Sequence, residues 1–450
     1  MGRAGWRTAG LRRAAERRTR ADGRPWSGGS RGAIRAWALR RLLGLLAVEV
    51  AGCAAPRPSP ATSRSRRVAR GPAAVARQPP VSDQRALPAA GGLPRSPADL
   101  SASWLTAALC RGAPGARVSA VRLRDHSAGT TTRARLELDY EGADAARLPR
   151  HVFAKFASTL PQRLMLGLGG FIECEPRFYA QVRPLLALEA PVGYFAAVAR
   201  RSWRSLVLIE DVAATRGARF WQPGTRVTRA QIEDLLAAAA AWHGALWESP
   251  RLGAWRWLKT PAQQMLVIDA LIGAADRTRA GAERARGVIP AGLRRRRADL
   301  HEALRRSMRV ASEGPLTYLH GDLHVANAYL SADGRMGVCD WQTSLRGSWA
   351  FDFGYLLATA LEVEDRRAWE RELLAFYLER LAAAGGGRIH RERAWRAYRQ
   401  ATLYPYFAWT YTIGRWRLQP HFQAEQVSLT LLGRIAAAIE DLDSLGALGL

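Results

Sequence analysis

The chain of 450 residues keeps a single asparagine, Asn327, in the segment His320-Gly321-Asp322-Leu323-His324-Val325-Ala326-Asn327. A second carboxylate follows in Val338-Cys339-Asp340-Trp341-Gln342. An Asp, an Asn five positions on and a further Asp thirteen positions beyond it form a set suited to phosphoryl transfer. Asp322 can orient an attacking hydroxyl and accept its proton. The amide oxygen of Asn327 and the carboxylate of Asp340 are hard oxygen donors of the kind that hold Mg²⁺ against nucleotide phosphates. Such a reaction asks little covalent work of the protein, so positioning and charge neutralisation carry the rate.

Lysine is almost as rare as asparagine. Of 67 basic Lys and Arg residues only Lys155 and Lys259 are lysine. With abundant Ala and Gly, the other 65 arginines fit a GC-rich genome that drifts to Arg wherever Arg serves. Lys155 lies in Val152-Phe153-Ala154-Lys155-Phe156-Ala157, an apolar run that predicts a strand. A compact ammonium lodges between two phosphate oxygens, where a planar guanidinium on another stem would sit differently. A stray lysine at a strand edge is the plain alternative; the Asp-Asn-Asp set downstream weighs against it.

These residues need elements to hold them. Residues 1–95 carry 20 Arg against 4 acidic residues, with much Gly, Pro, Ser and Ala, so they predict a basic, disordered extension or an over-long start. Within it, Arg40 to Val48 followed by Cys53 has the outline of a short lipoprotein signal, but Glu49 interrupts the apolar run, which is too short to span a bilayer. A cytoplasmic protein without stable membrane insertion is therefore expected. The genomic Arg bias accounts for the charge, so no specific nucleic-acid partner is expected either. Four scattered cysteines without a C-x-x-C spacing suggest reduced thiols.

Ordered structure is expected from Ser96-Pro97-Ala98-Asp99, a helix start. Residues 96–212 read as a strand-rich lobe and 213–450 as a helical lobe. Val118–Leu123 and Arg133–Tyr140 alternate as strands, and Asp125–Thr132 between them suits either a loop over phosphates or a hairpin turn. Phe171–Tyr179 enters a helix whose carboxylate could pair with Lys155; Glu175 is preferred, with Glu173 as competitor because Pro176 fits only the first turn. Ser205–Val212 is a buried strand ending in Glu210 and Asp211, where a hinge offering backbone groups to adenine would fall. His243, on an Ala-rich helix, reads as a satisfied core histidine.

Taken together, Thr317–Leu330, Gly337–Gln342, Arg346-Gly347 and Asp352–Leu357 resemble the aminoglycoside phosphotransferase and choline-kinase-like superfamily. The Asp-Trp-Gln, Glu-x-x-Phe-Tyr and Leu-Ile-Glu-Asp forms are most similar to its ecdysteroid-kinase-like branch and bacterial relatives. The resemblance covers roughly residues 96–445 and implies a two-lobed, α+β, protein-kinase-like fold using ATP and Mg²⁺. It implies Asp322 as catalytic base, Asn327 and Asp340 as metal ligands, and Lys155 as phosphate ligand with Glu175 as partner. His320 and Asp352 would brace the loop, and His324 would line the acceptor site. Only eleven residues separate Asp340 from Asp352, too few for a peptide-docking segment, so a small hydroxylated acceptor is expected.

Two other readings stand beside this one. If 320–324 were a strand, His320, Asp322 and His324 would share a face and could bind zinc with Asp340. Alternatively the fold is a catalytically dead binding module. As for the acceptor, residues 386–450 hold eight Arg and five acidic residues, with Tyr404, Tyr406, Phe407, Trp409, Tyr411 and Trp416. That balance disfavours a polycationic aminoglycoside and suits an apolar-bodied alcohol, unless the aromatics are simply core. The sequence leaves the oligomeric state open.

Overall fold

The computed structural model describes residues 92–223, 225–271, 274–414 and 424–450. The expected extension falls almost wholly outside the described residues, as does the lipidation motif at Cys53. Described structure starts slightly before the expected Ser96: Leu93 is buried, and the Trp104 indole N–H donates to the Gly92 carbonyl at 3.0 Å. The expected helix start resolves into a 3₁₀ turn, Pro97–Asp99, and then α1, Ala102–Leu109, because the Ser101 hydroxyl caps the Trp104 N–H.

Five antiparallel strands follow: β1 (Arg117–Ala128), β2 (Thr132–Glu141), β3 (His151–Phe156), β4 (Gly193–Ala199) and β5 (Arg204–Glu210), in spatial order β1-β2-β3-β5-β4. Their period of two sorts the side chains. Ala134, Leu136, Val152, Ala154, Leu206 and Leu208 pack with Trp104 and Leu105 of α1, each large apolar side chain contributing about 1.5–3 kcal/mol by burial. Lys155 and Val207, by the same alternation, belong to the opposite face, against which the helical lobe packs.

The hairpin differs from expectation. Asp125–Ala128 pairs with Thr132–Arg135, so the loop shrinks to 129–131. Cross-strand ion pairs of Arg122 with Asp139 and of Arg124 with Glu137 favour the extended ladder. The register slips twice along β1, between Val118 and Ala120 and between Leu123 and Asp125. Gln162, in the first turn of α2 (Leu160–Leu168), tethers the tip by donating to the Gly129 carbonyl at 3.0 Å. A short helix α3, Cys174–Arg177, then runs on as a π turn through Val182 and a 3₁₀ turn at Arg183–Leu185.

Beyond β5 the described chain is mostly helical. The elements that bear on the site are α4 (Arg229–Ala245), α5 (Pro261–Leu271), α6 (Ala350–Ala360), α7 (Val363–Ala383), α8 (Leu403–Ile413) and α9 (Glu425–Asp441). Two small ribbons interrupt them. In one, β7 (Thr317–Leu319) pairs with β10 (Leu345–Gly347); in the other, β6 (Arg219–Phe220), β8 (Ala328–Leu330) and β9 (Met336–Val338) lie side by side. Asp322 and Asn327 therefore sit on the connection from β7 to β8, and Asp340 on that from β9 to β10. All eleven residues of α6 are buried, making it the axis around which the helical lobe packs. The outcome is the two-lobed α+β architecture of protein kinases, with a small antiparallel sheet and a largely helical second lobe. No helix among the described residues is long and apolar enough to cross a membrane.

Candidate active site

Strand β3 delivers Lys155 into a buried ionic triad. Its ammonium lies 2.7 Å from Glu175 Oε1 and 3.0 Å from Asp340 Oδ1. Glu173 is the residue left out: it pairs with Arg200 at 3.1 Å and Arg177 at 3.5 Å. Pro176 does not obstruct the pairing, since it occupies the first turn of α3, where a backbone N–H has no helical acceptor. Burial pushes the Glu175 carboxyl above its ordinary range, with Lys155 opposing and Asp340 adding to the rise. Burial acts the same way on Asp340, but Lys155 and then Arg133 outweigh it and bring that carboxyl down to about 2. Arg133, directly across from Lys155 on β2, is thus a second cation over the triad. Only the strand register could have revealed it.

Asp340 adopts φ +65°, a left-handed conformation uncommon outside glycine. What holds it is its neighbour: Trp341 is fully buried and stacks on Phe178 of the Glu175 segment, centroids 3.9 Å apart and planes 7° apart. The aromatic stack and the ionic triad fix the same two backbone segments to one another.

The second half of the site is built differently. Gly321, at φ +81°, brings the catalytic loop so close to the returning chain that a Cβ there would lie 2.1 Å from the Thr343 carbonyl oxygen. The buried carboxylate of Asp352 accepts the backbone N–H groups of His320 at 2.7 Å and Gly321 at 3.0 Å. It also lies 3.2 Å from His243 Nε2, whose other ring nitrogen meets the Tyr377 hydroxyl at 2.7 Å. His243 is a satisfied core histidine, and it extends the Asp352 brace into α4 and α7. His320 is buried and held neutral, its pKa lowered by desolvation. Its Nε2–H donates to the Cys339 carbonyl at 2.9 Å while Nδ1 accepts from the Asp322 N–H at 3.3 Å. The loop from 320 to 324 is not a strand, so the shared-face arrangement needed for zinc does not form.

Asp322 receives the Tyr355 hydroxyl at 2.6 Å on Oδ1, and His324 Nε2 lies 3.5 Å from Oδ2. Burial would raise its pKa; His324, Tyr355 and His320 outweigh burial and hold it below the usual Asp value. The Asn327 amide N–H₂ donates to the Asp322 backbone carbonyl at 3.0 Å and approaches its carboxylate at 3.4 Å. With the nitrogen so engaged, the amide oxygen is the end left for a cation. Tyr355 was not singled out from sequence. Its signal is the spacing Asp352-x-x-Tyr355, which puts both residues on one helical face toward the loop.

Glu210 and Asp211 end β5 as expected, but their carboxylates are engaged. Glu210 accepts from Thr215 at 2.7 Å, the Val192 N–H at 3.1 Å and Arg216, and Asp211 lies 3.6 Å from Arg135. Any contact with adenine there falls to the backbone. Tyr404, Tyr406, Phe407 and Trp409 are buried on α8, and Trp416 lies outside the described residues. Most of this aromatic run is core, as helical spacing favours. Two of its members border the loop: Trp409 meets the His324 ring edge-on at 5.2 Å, and Tyr404 meets Tyr355 at 5.9 Å.

No curated protein matches the chain in sequence. Among solved structures, similar folds include amicoumacin kinase hAmiN in complex with AMP-PNP, Ca²⁺ and Ami (14% identity, 71% of this chain and 88% of that one, TM-score 0.41). Choline kinase LicA from Streptococcus pneumoniae is similar at 11% identity, over 72% and 94% of the two chains, with a TM-score of 0.40. Aminoglycoside phosphotransferase APH(3'')-Id from Streptomyces rimosus gives 19%, 68%, 97% and 0.37. Family membership rests on the sequence profile instead. The profile of the phosphotransferase enzyme family matches residues 170–399, more than half of the chain, and includes Glu175, the whole 320–327 loop, Asp340 and Asp352. The chain belongs to the phosphotransferase enzyme family.

Proposed function

We propose that the protein transfers the γ-phosphate of ATP, in a Mg²⁺-dependent reaction, to a hydroxyl of a small molecule that is not an aminoglycoside. The observation that carries this reading is the convergence of Lys155 and Asp340, 185 positions apart, at 3.0 Å, on a site whose other wall is Asp322 and Asn327. Lys155 would grip the α- and β-phosphate oxygens while Glu175 holds its ammonium in place. The donor set fits the metal, since the Asn327 amide oxygen and the Asp340 carboxylate are hard oxygen ligands. A divalent cation bound by them would neutralise phosphate charge.

Asp322 has a depressed pKa and is therefore a weak base. Its role is to orient the acceptor hydroxyl through the oxygen not committed to Tyr355, and to take the proton late, as the new O–P bond forms and the bond to ADP breaks. His320 and Asp352 hold the loop in register for that geometry. The need for ATP favours the cytoplasm as the place of the proposed reaction.

Beside the loop's own Asn327 and His320, the side chains that meet Asp322 and His324 are the rings Tyr355 and Trp409. A polycation needs a cluster of carboxylates to replace its lost hydration, whereas rings suit an apolar body with few polar handles. The test is a panel of hydroxylated compounds with radiolabelled ATP, comparing aminoglycosides with polycyclic or steroid-like alcohols. Label transfer to the alcohols, absent with Asp322→Asn, is expected. Efficient labelling of aminoglycosides alone would overturn the acceptor assignment.

A further inference from the structure

The chain's two lysines converge on one short segment. Lys155 holds Glu175. Lys259, just ahead of α5 and 5% exposed, donates from Nζ to the carbonyl of Gly170 at 2.6 Å, five residues earlier. Beside it Gln264 donates its amide N–H₂ to the Gly169 carbonyl at 2.8 Å. Gly170 has φ +75°, and a Cβ added there would come within 2.4 Å of the Lys259 ammonium. The bare glycine and the small cation are matched to each other, which gives a physical reason for lysine to persist here when 65 other basic positions are arginine.

The other end of Lys259 is fixed as well. Its carbonyl accepts the Arg346 N–H of β10 at 2.9 Å. That strand is the continuation of the Asp340 segment and pairs with β7, from which the Asp322 loop departs. Two further contacts lie beside it: Cys174 Sγ lies 3.7 Å from the Ser344 carbonyl, tying the Glu175 segment to the chain entering β10, and the Trp257 indole, two residues before Lys259, donates to Gln181 of the π turn at 3.1 Å. Lys259 is thus a strap with its ammonium on the approach to Glu175 and its backbone on the ribbon that carries the catalytic carboxylates. Burial pushes its pKa below the ordinary lysine value, a penalty that a methionine of similar length would escape.

We infer that Lys259 is a positioning residue: with Gln264 it sets the segment 169–175 against β10 and so keeps Glu175 in reach of Lys155. The inference rests on the proposed role of the Lys155–Glu175 pair in gripping nucleotide. A purely structural lysine would contribute to stability without any coupling to Glu175, and a double-mutant cycle separates the two cases.

The experiment measures Mg·AMP-PNP affinity by titration calorimetry for the full chain and for Lys259→Met, Glu175→Gln and the double variant, with thermal unfolding recorded separately. Each single change is expected to weaken binding about tenfold, and the double variant to be no more than about threefold weaker than Glu175→Gln alone, since coupled residues are non-additive. Lys259→Arg should not restore affinity, because the wider head cannot sit against Gly170. Full additivity, or an unchanged affinity in Lys259→Met, would overturn the inference. An unchanged affinity in Glu175→Gln would overturn the nucleotide-grip reading itself, and this inference with it. If Lys259→Met does not fold, Gln264→Leu in the same cycle decides, with coupling to Glu175 expected and additivity overturning.

Discussion

The two halves of the site are made of different materials. On the side of Lys155, Glu175 and Asp340 the geometry is set by full charges at 2.7–3.0 Å in a nearly dry environment. On the side of Asp322 the groups that meet it are neutral hydrogen-bonding groups and rings, namely the Tyr355 hydroxyl, the His320 imidazole that accepts its N–H, the Asn327 amide and the His324–Trp409 contact, with the Asp352 carboxylate bracing the loop from behind. The first half can answer to phosphate, a ligand of fixed charge and shape, by rearranging cation–anion pairs. The second holds one carboxylate steady where a further charge would be costly to bury, which suits the proposed acceptor of modest polarity. Under the proposed reaction, donor recognition would be electrostatic and general, and acceptor recognition steric and particular.

The largest expected effect breaks the second half alone. Asp322→Asn should leave fold and nucleotide binding intact and lower turnover by roughly 10²–10⁴-fold, the scale of general-base catalysis. Near-native turnover, where chemistry limits the rate, would remove Asp322 from the mechanism. Asp340→Ala breaks the first half. Saturating MgATP should stabilise the unaltered protein by about 2–4 kcal/mol, seen as a thermal shift, and the variant by almost nothing. A retained shift would place the metal elsewhere.

The pH dependence of the first half sharpens the contrast. Asp340 titrates at about 2 in the folded chain, against about 3.9 when unfolded. A depressed folded pKa stabilises above the unfolded value and loses that contribution as pH falls through the folded one. In metal-free protein the stability gap between the native chain and Asp340→Asn should thus be about 2 kcal/mol above pH ~4 and close toward pH ~2. Denaturant titrations at several pH values check it, and a gap independent of pH would refute the charge assignment. The smallest change tests the neutral half. Tyr355→Phe removes a donor to the ionised Asp322, so the acid limb of kcat/KM should move to higher pH while turnover falls about tenfold. An unmoved acid limb would mean that Tyr355 only fills space.

How legible was this in the sequence? The positions of the ionic residues and of the loop were readable because rare residues at set spacings announce themselves: one Asn, two Lys, and Asp residues at fixed offsets. Of the two candidates it is Glu175, not Glu173, that meets Lys155, since Pro176 merely occupies a first turn. In the neutral half the loop residues Asp322, Asn327 and His320 were legible from one segment, but the rings that border them could not be told from core. Tyr355 and Trp409 belong to aromatic-rich helices whose periodicity looks the same whether a ring faces core or catalytic loop, and only packing separates the two. The hairpin stayed open for a related reason. Polar residues at 125–132 left a loop or a hairpin turn open; the ladder runs on through Ala128 and Thr132, with ion pairs just before it at Arg122 and Arg124, so the turn is only 129–131. Glu210 and Asp211 lay where expected, but their side chains serve Arg216 and Arg135.

That ladder has a consequence for the protein as a particle in solution. β1 is a twelve-residue strand at the edge of its sheet, long enough to template pairing with a second molecule, and Leu123 on it is 48% exposed. Two register slips bend it, and Arg122 and Arg124 line it in ion pairs with Asp139 and Glu137, so a neighbouring strand would meet a broken rail whose charges are already committed to β2. The protection is partly ionic and so weakens as salt screens it. Colloidal behaviour should worsen with ionic strength in this chain, even though nothing in the catalytic cleft has changed.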